Sequence, residues 1–279
     1  MGIATLIASE TLDSGAISES CDRLRGFGIE PAEIIWVQQG KAIDIGFDGE
    51  IVAARAALQP LEASVDICVQ SFDHRRKMLL VSDMDSTMIT VECIDELADY
   101  AGIKAEIAAV TERAMQGELD FAEALRARVA LLAGLDEHVI DTCLAERVRQ
   151  MPGAEILVRT MRGWGAHTLL VSGGFTRFAD PVAASIGFVE ARANMLDIVG
   201  GRLTGKVSGT IVDAQVKRAE LLARQSDCGL VLQQTLAVGD GANDIPMIEA
   251  AGLGVSYHAK PKAEAAAHFA VRHNDLTAL

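Results

Sequence analysis

An α/β fold built on a Rossmann-like parallel sheet, with a small α+β unit ahead of it, is what the 279 residues predict, on three observations. From Met78 onward, short apolar runs alternate with segments of helical spacing, the pattern of a parallel sheet with helices on both faces. Three of those runs lead into acidic, hydroxyl or glycine-rich segments, and open parallel sheets bind ligands beyond the carboxyl ends of their strands. Between the first run and the next lies a block of helical pattern, about 95–149, inserted where it can act as a lid. The expected division is 1–76 and 77–279, with Asp73-His74-Arg75-Arg76-Lys77 as the junction.

In the first unit, Ile3 to Ala8 reads as a strand. Ser18 to Phe27 carries Cys21, Leu24 and Phe27 near helical spacing and stops at Gly28. Glu33 to Gln38 and Ala42 to Phe47 form a strand pair around Gln39-Gly40, and Ile51 to Leu58 is a short helix before Pro60. Ser64 to Ser71 alternates as a last strand. The order β-α-β-β-α-β predicts a ferredoxin-like module, a type that pairs edge to edge or binds small molecules.

In the second unit, Met78 to Val81 is a buried strand. Helices are expected over 91–101, 104–115, 120–132 and 137–148, punctuated by Gly102, Gly117 and Gly134. A helix over 154–162, a strand over 167–171 and a helix running to Ser185 follow. Ala191 to Ile211 is hairpin material turning at Gly200-Gly201, and 214–224 is a helix. A strand over 235–238, a sharp turn at Gly239-Asp240-Gly241, a helix over 245–250 and a strand over 253–256 complete the pattern.

Half the residues are hydrophobic, enough for real cores. The net charge of −14 and the lack of any basic run longer than Arg75-Arg76-Lys77 argue against nucleic acid or an anionic membrane as partner. No stretch is apolar for the length of a membrane span. The five cysteines form no C-x-x-C pair, which disfavours a zinc knuckle. Their scatter, and a start lacking both a basic segment and a long apolar one, lead to the cytoplasm as the expected compartment.

Asp83-Met84-Asp85-Ser86-Thr87 carries the first chemical signal. Two carboxylates just past a buried strand raise each other's pKa unless a cation sits with them, so they call for a divalent metal or a positive ligand. Side chains two apart on extended backbone point the same way. Ser86 and Thr87 also suit a helix cap. Gly239-Asp240-Gly241-Ala242-Asn243-Asp244 has Asp244 where a dinucleotide loop needs glycine, and a carboxylate there suits a metal better than a pyrophosphate. Its glycines would permit positive φ in a tight turn. Ser172-Gly173-Gly174 ends the intervening strand as a hydroxyl and backbone anion site. Lys217 is a lone helical lysine, and such residues are usually solvated. Gly200 to Val207 nearly matches a P-loop, but Val207 replaces the metal-binding hydroxyl and no helix follows, so it reads as a hairpin. Together these acids, Ser172 and Lys217 describe an anion held between a metal and a lysine.

In order, these segments resemble the motifs of the haloacid dehalogenase (HAD) superfamily of phosphohydrolases, and within it the phosphoserine phosphatase family. The likeness spans 78 to about 256. It implies a HAD core with a helical cap, Mg2+ as cofactor, and hydrolysis of phosphoserine to serine as the last step of serine biosynthesis. By the same resemblance Asp83 is the nucleophile and Asp85 the proton donor. Magnesium is held by Asp83, the backbone carbonyl of Asp85 and Asp240. Ser172, Gly173 and Lys217 hold the phosphoryl oxygens, Asn243 orients them, and Asp244 orients Lys217. Glu92 matches the family acid for the substrate ammonium, and Arg128 the arginine for its carboxylate. A phosphotransferase passing phosphate to an alcohol such as homoserine, and a non-catalytic amino-acid sensor, are alternative readings. The N-terminal unit resembles an ACT-like regulatory domain in element order, and a homodimer through it is a further expectation.

Overall fold

The computed structural model describes residues 1–115 and 118–279; Gly117, expected to separate two helices, lies outside them. The first part runs β1 (Gly2–Ile7), α1 (Ser14–Gly26), β2 (Glu30–Gln38), β3 (Ala42–Asp48), α2 (Ile51–Leu58) and β4 (Asp66–Ser71). Its sheet has the order β2-β3-β1-β4 and is antiparallel throughout, the ferredoxin-like arrangement that the element order predicted. Asp13 starts α1 by accepting the amide of Ala16 at 2.8 Å. Leu6, Ile43, Ile45, Phe47 and Val69 pack on one face of the sheet with Leu24 of α1 and Leu58 of α2. On the other face Ile7, Ala42 and Cys68 join the core of the larger sheet.

The larger part begins with β5 (Leu79–Ser82) and the helices α3 (Cys93–Ala101), α4 (Lys104–Met115), α5 (Phe121–Leu131), α6 (His138–Glu146) and α7 (Ala154–Gly163). Then come β6 (His167–Phe175), α8 (Thr176–Ile186), β7 (Glu190–Val199), β8 (Arg202–Ser208) and α9 (Ala214–Asp227). The chain closes with β9 (Thr235–Gly239), α10 (Ile245–Ala250), β10 (Leu253–Tyr257), α11 (Pro261–Ala266) and β11 (Phe269–Val271). The strand order is β11-β10-β9-β5-β6-β7-β8. Every neighbour pair is parallel except the β7–β8 hairpin. The chain leaves β5 toward β6 and later returns to its other side at β9, so the strand order reverses at β5. A crevice beyond the carboxyl end of such a strand is the natural ligand site.

The β7–β8 hairpin bears out the dismissal of a P-loop over 200–207. Two expectations change. Ser172-Gly173-Gly174 does not follow β6 but lies within its irregular end, where pairing with β7 slips between Val171 and Phe175. The segment α11–β11 had no counterpart in the sequence reading; both elements are too short for a periodic signal. The inserted helices rest on the hairpin, with Gly134 donating to Leu203 O at 2.8 Å and Glu137 to Gly201 O at 2.9 Å. Among the described residues no helix is long and apolar enough to cross a membrane.

Candidate active site

Four segments converge beyond the carboxyl ends of β5, β6 and β9. The core strand Leu79 to Val81 is fully buried, so β5 delivers its end to a fixed place. There the Asp83 amide donates to Val238 O at 2.9 Å, continuing the pairing with β9 by one residue. The chain then turns tightly, with the amides of Met88 and Ile89 both donating to Met84 O, at 2.8 and 3.0 Å. Ser86 takes the left-handed conformation in this turn, at φ 53°.

Lys217 of α9 is the electrostatic centre. It is completely buried, and its Nζ lies 2.7 Å from Asp83 Oδ1 and 2.7 Å from Asp244 Oδ1. A solvated helical lysine is what its surroundings in the sequence suggest; the structure buries it between two carboxylates. Desolvation works against its charge, but Asp244 and Asp83 outweigh it and hold its pKa above the ordinary lysine value. Asp244 also accepts the Gly241 amide through Oδ2 at 3.0 Å. Asp83 Oδ1 accepts the Met84 amide at 2.7 Å, while burial and then Asp244 push its pKa well up.

Asp85 does not share the partners of Asp83. Asp85 Oδ2 accepts the Cys93 amide at the start of α3, at 3.4 Å, while its buried Oδ1 has no hydrogen-bond partner among the described residues. Burial, then the nearby Glu92, raises its pKa to about 7. Asp240 accepts from Thr87 Oγ1 at 3.1 Å, and burial and then Asp244 raise its pKa to about 6.

The glycines of the β9 turn act differently from expectation. Neither Gly239 nor Gly241 has positive φ. They are needed for space: a Cβ on Gly239 would stand 2.4 Å from Asp244 Cγ, and one on Gly241 2.4 Å from Asn243 Oδ1. This crowding is how the loop brings Asp244 under Lys217 and Asn243 over the turn. In the β6 segment Ser172 Oγ accepts the Gly174 amide at 2.8 Å, and a Cβ on Gly174 would lie 3.4 Å from Asp85 Oδ2.

From the inserted helices, Phe121 of α5 reaches the β6 loop, where a Cβ on Gly173 would meet its ring at 3.0 Å. Arg128 is seven residues further, on the same face of that helix. Its guanidinium makes one hydrogen bond, to Ala124 O at 3.4 Å, and no ion pair within 4.0 Å among the described residues. Burial lowers its pKa, opposed by Asp95 and then Glu92. Glu92, just before α3, accepts from Ser86 Oγ at 2.7 Å.

Asp83, Asp85, Ser172, Lys217, Asp240, Asn243 and Asp244 thus meet at one strand-end crevice, with Glu92 and Arg128 at its α3–α5 side. Sequence reasoning missed Thr87 as a partner of Asp240. It also missed Asn194, a buried residue of β7 that donates to Gly173 O at 2.8 Å and accepts the Val212 amide at 2.8 Å. Thr87 stood inside a quoted motif, whereas nothing in its neighbourhood marks Asn194.

Asp83, Asp240 and Asp244 each offer a carboxylate oxygen within 4.8 Å of the others. Asp244 is committed to Lys217 and Gly241, which leaves Asp83 and Asp240 as the freer donors. Hard oxygen donors in acid excess fit a hard divalent cation.

The chain matches the family of haloacid dehalogenase-like hydrolases over residues 80–249. A phosphoserine phosphatase of Streptomyces coelicolor is 44% identical over 268 residues, 95% of this chain and 63% of that protein. This chain therefore spans less than two thirds of that relative's length. A phosphoserine phosphatase of Vibrio cholerae is 45% identical over 230 residues, 82% of this chain and 70% of that protein. The unliganded crystal structure of a probable phosphoserine phosphatase from Vibrio cholerae superposes with a TM-score of 0.78 at 37% identity, covering 99% of this chain and 84% of the other. Since the family match runs from within β5 to within α10, it takes in every segment that meets at Lys217, and the chain belongs to the haloacid dehalogenase-like hydrolases.

Proposed function

We propose that the chain hydrolyses O-phospho-L-serine to L-serine and phosphate through an aspartyl phosphate on Asp83. The observation that carries this reading is the fully buried Lys217 bridging Asp83 and Asp244 at 2.7 Å each, with Asp240 beside them. An ammonium held there can neutralise phosphoryl oxygens as Asp83 attacks. Two relatives at 44% and 45% identity, both phosphoserine phosphatases, support the substrate.

Asp83 attacks phosphorus in line, and the bond from phosphorus to the serine oxygen breaks. Asp85 gives its proton to that oxygen. Water then attacks the aspartyl phosphate, Asp85 takes a proton from it, and phosphate leaves with Asp83 restored. Lys217, Ser172 and the Gly173 backbone hold the phosphoryl oxygens, and Asn243 orients them. Asp244 fixes Lys217. Arg128 takes the substrate carboxylate, for which its partly buried guanidinium, with no ion pair among the described residues, is suited. Glu92 takes the ammonium.

Magnesium is the cofactor in this reading, held by Asp83, Asp240 and the backbone carbonyl of Asp85. When bound it draws negative charge off the phosphoryl group and so makes attack by a carboxylate feasible. The inserted helices close over the site to exclude water. The division of the chain is 1–76 as an ACT-like unit and 77–279 as the phosphatase, with the cap about 95–149. A place at the end of serine biosynthesis, in the cytoplasm, completes the proposal.

The test is phosphate release from a panel of small phosphomonoesters, with magnesium and then with a chelator. Phosphoserine should lead the panel, and the chelator should abolish release. Release unaffected by the chelator, or a substrate without a carboxylate turned over faster, would sink the proposal.

A further inference from the structure

The longest basic run of the sequence, Arg75-Arg76-Lys77, lines a cavity of about 110 Å³ between the two sheets. One wall is the face of the smaller sheet turned away from α1 and α2, with Ile7 of β1 and Cys68 and Gln70 of β4. Trp164 forms another, and Leu236, Leu253 and Phe269 close it at the amino ends of β9, β10 and β11. The candidate active site lies beyond the carboxyl ends of the same sheet, so the cavity is a separate place.

Charge at the cavity is unbalanced. Arg75 pairs with Asp44 at 2.6 Å, but among the described residues no carboxylate pairs with Arg76 or Lys77, and none of the side chains lining the cavity is acidic. Arg76 lies over the Trp164 ring at 5.1 Å. Lys77 is buried, which lowers its pKa, and its ammonium donates to His74 O at 3.0 Å and to Gln233 O at 2.8 Å. An ammonium has three N–H groups, so one is left over. A buried charge without a counter-charge is costly, and here it persists in a chain of net charge −14. Gln70 has the opposite need. Its Oε1 is buried with no hydrogen-bond partner among the described residues, while its Nε2 reaches Cys68 Sγ at 3.5 Å. The Thr5 hydroxyl at the same wall is already spent on Asp44, at 2.7 Å.

We propose that this cavity binds a short 2-hydroxy carboxylate, with its carboxylate against Lys77 and Arg76, its hydroxyl donating to Gln70 Oε1, and its apolar end among Leu236, Leu253 and Phe269. Three features select this class. Two cations without acids call for a ligand of net negative charge, not for a zwitterion whose ammonium they would repel. The orphaned acceptor calls for a donor, which a plain carboxylate lacks. The volume is below the roughly 150 Å³ of a cavity that holds benzene, so the body is limited to about six non-hydrogen atoms. Apolar walls would leave any further polar group without a partner.

Trp164 reports on the cavity, because its indole Nε1 donates to Lys77 O at 3.0 Å. The one other tryptophan, Trp36, lies exposed on β2 and serves as the internal control. The test follows both indole N–H signals by NMR in the full chain carrying isotope-labelled tryptophan, with Trp36→Phe to assign them. L-lactate, propionate and L-alanine are titrated at constant ionic strength; they share a three-carbon frame and differ in the donor and the net charge. The expected result is a saturable shift of Trp164 with lactate and none of Trp36, with propionate and alanine bound at least about tenfold more weakly. Gln70→Leu should erase the preference for lactate over propionate, and Arg76→Gln should weaken both. Absence of a saturable Trp164 shift would overturn the site, and equal binding of propionate or alanine would overturn the ligand class. The native titrations decide even if a variant does not fold, and phosphate release plays no part in the readout.

Discussion

Lys217 and Asp83 form a pair that neither could sustain alone. Removing a partner from a buried ion pair leaves an uncompensated charge, at a cost of about 3–5 kcal/mol. In the proposed reaction, Asp83→Asn keeps the shape but removes the attacking oxygen charge. Turnover should fall below about 10⁻³ of the native value, measured as phosphate release, with no phosphoenzyme trapped on acid quench; near-native turnover would refute the nucleophile. Arg128 tests the substrate instead of the chemistry. A hydrogen bond to a charged group is worth about 1.5–3 kcal/mol, so Arg128→Ala should raise the phosphoserine KM by about tenfold to a hundredfold. Its effect on a phosphomonoester without a carboxylate should be small, and equal losses on both would mean that Arg128 serves the fold.

Helix α5 joins a local signal to a distant job. Asp120 accepts the Glu123 amide at 2.8 Å while Glu123 accepts the Asp120 amide at 2.9 Å, a complete capping box. That cap fixes the start of the helix, and so the placement of Phe121 against the β6 loop. Asp120→Ala should cost about 1 kcal/mol in denaturant unfolding. An unchanged midpoint would show that packing against β8 holds the helix without its cap. The β9 turn works by the opposite means. Gly239 and Gly241 leave room for side chains from their own loop, so their contribution is absence of volume, not freedom of backbone.

Besides the apolar contacts of Ile7, Ala42 and Cys68, a buried carboxylate ties the two sheets together. Asp66, with no exposed surface, accepts the amides of Arg272 at 2.8 Å, His273 at 3.2 Å and Asn274 at 3.0 Å, and the Asn274 side chain at 2.8 Å. Asn274 also donates to Ile7 O at 3.2 Å, and Arg272 pairs with Glu62 at 3.0 Å. The segment after β11 thereby binds the start of β4, more than 200 residues away in sequence. Asp66→Ala would strand these donors at about 1–3 kcal/mol each where they stay buried. The expected result is a calorimetric transition of the smaller sheet separating below the main one; a single transition at the native temperature would refute the clamp.

What the residues declared by themselves was local. The alternation of strand and helix, the ferredoxin-like order and the motifs at strand ends follow from periodicity and from residue types within a few positions, so Asp83, Asp85, Asp240 and the β6 glycines stood out before any fold was known. The fold class agrees with that reading. What the tertiary structure decided depends on distance. Burial of Lys217, the different partners of Asp83 and Asp85, Asn194 holding the β6 loop, and the Asp66 clamp all arise between segments far apart in the chain. The energy of a charge depends on the dielectric and the partners around it, and these exist only once the strands have been brought together.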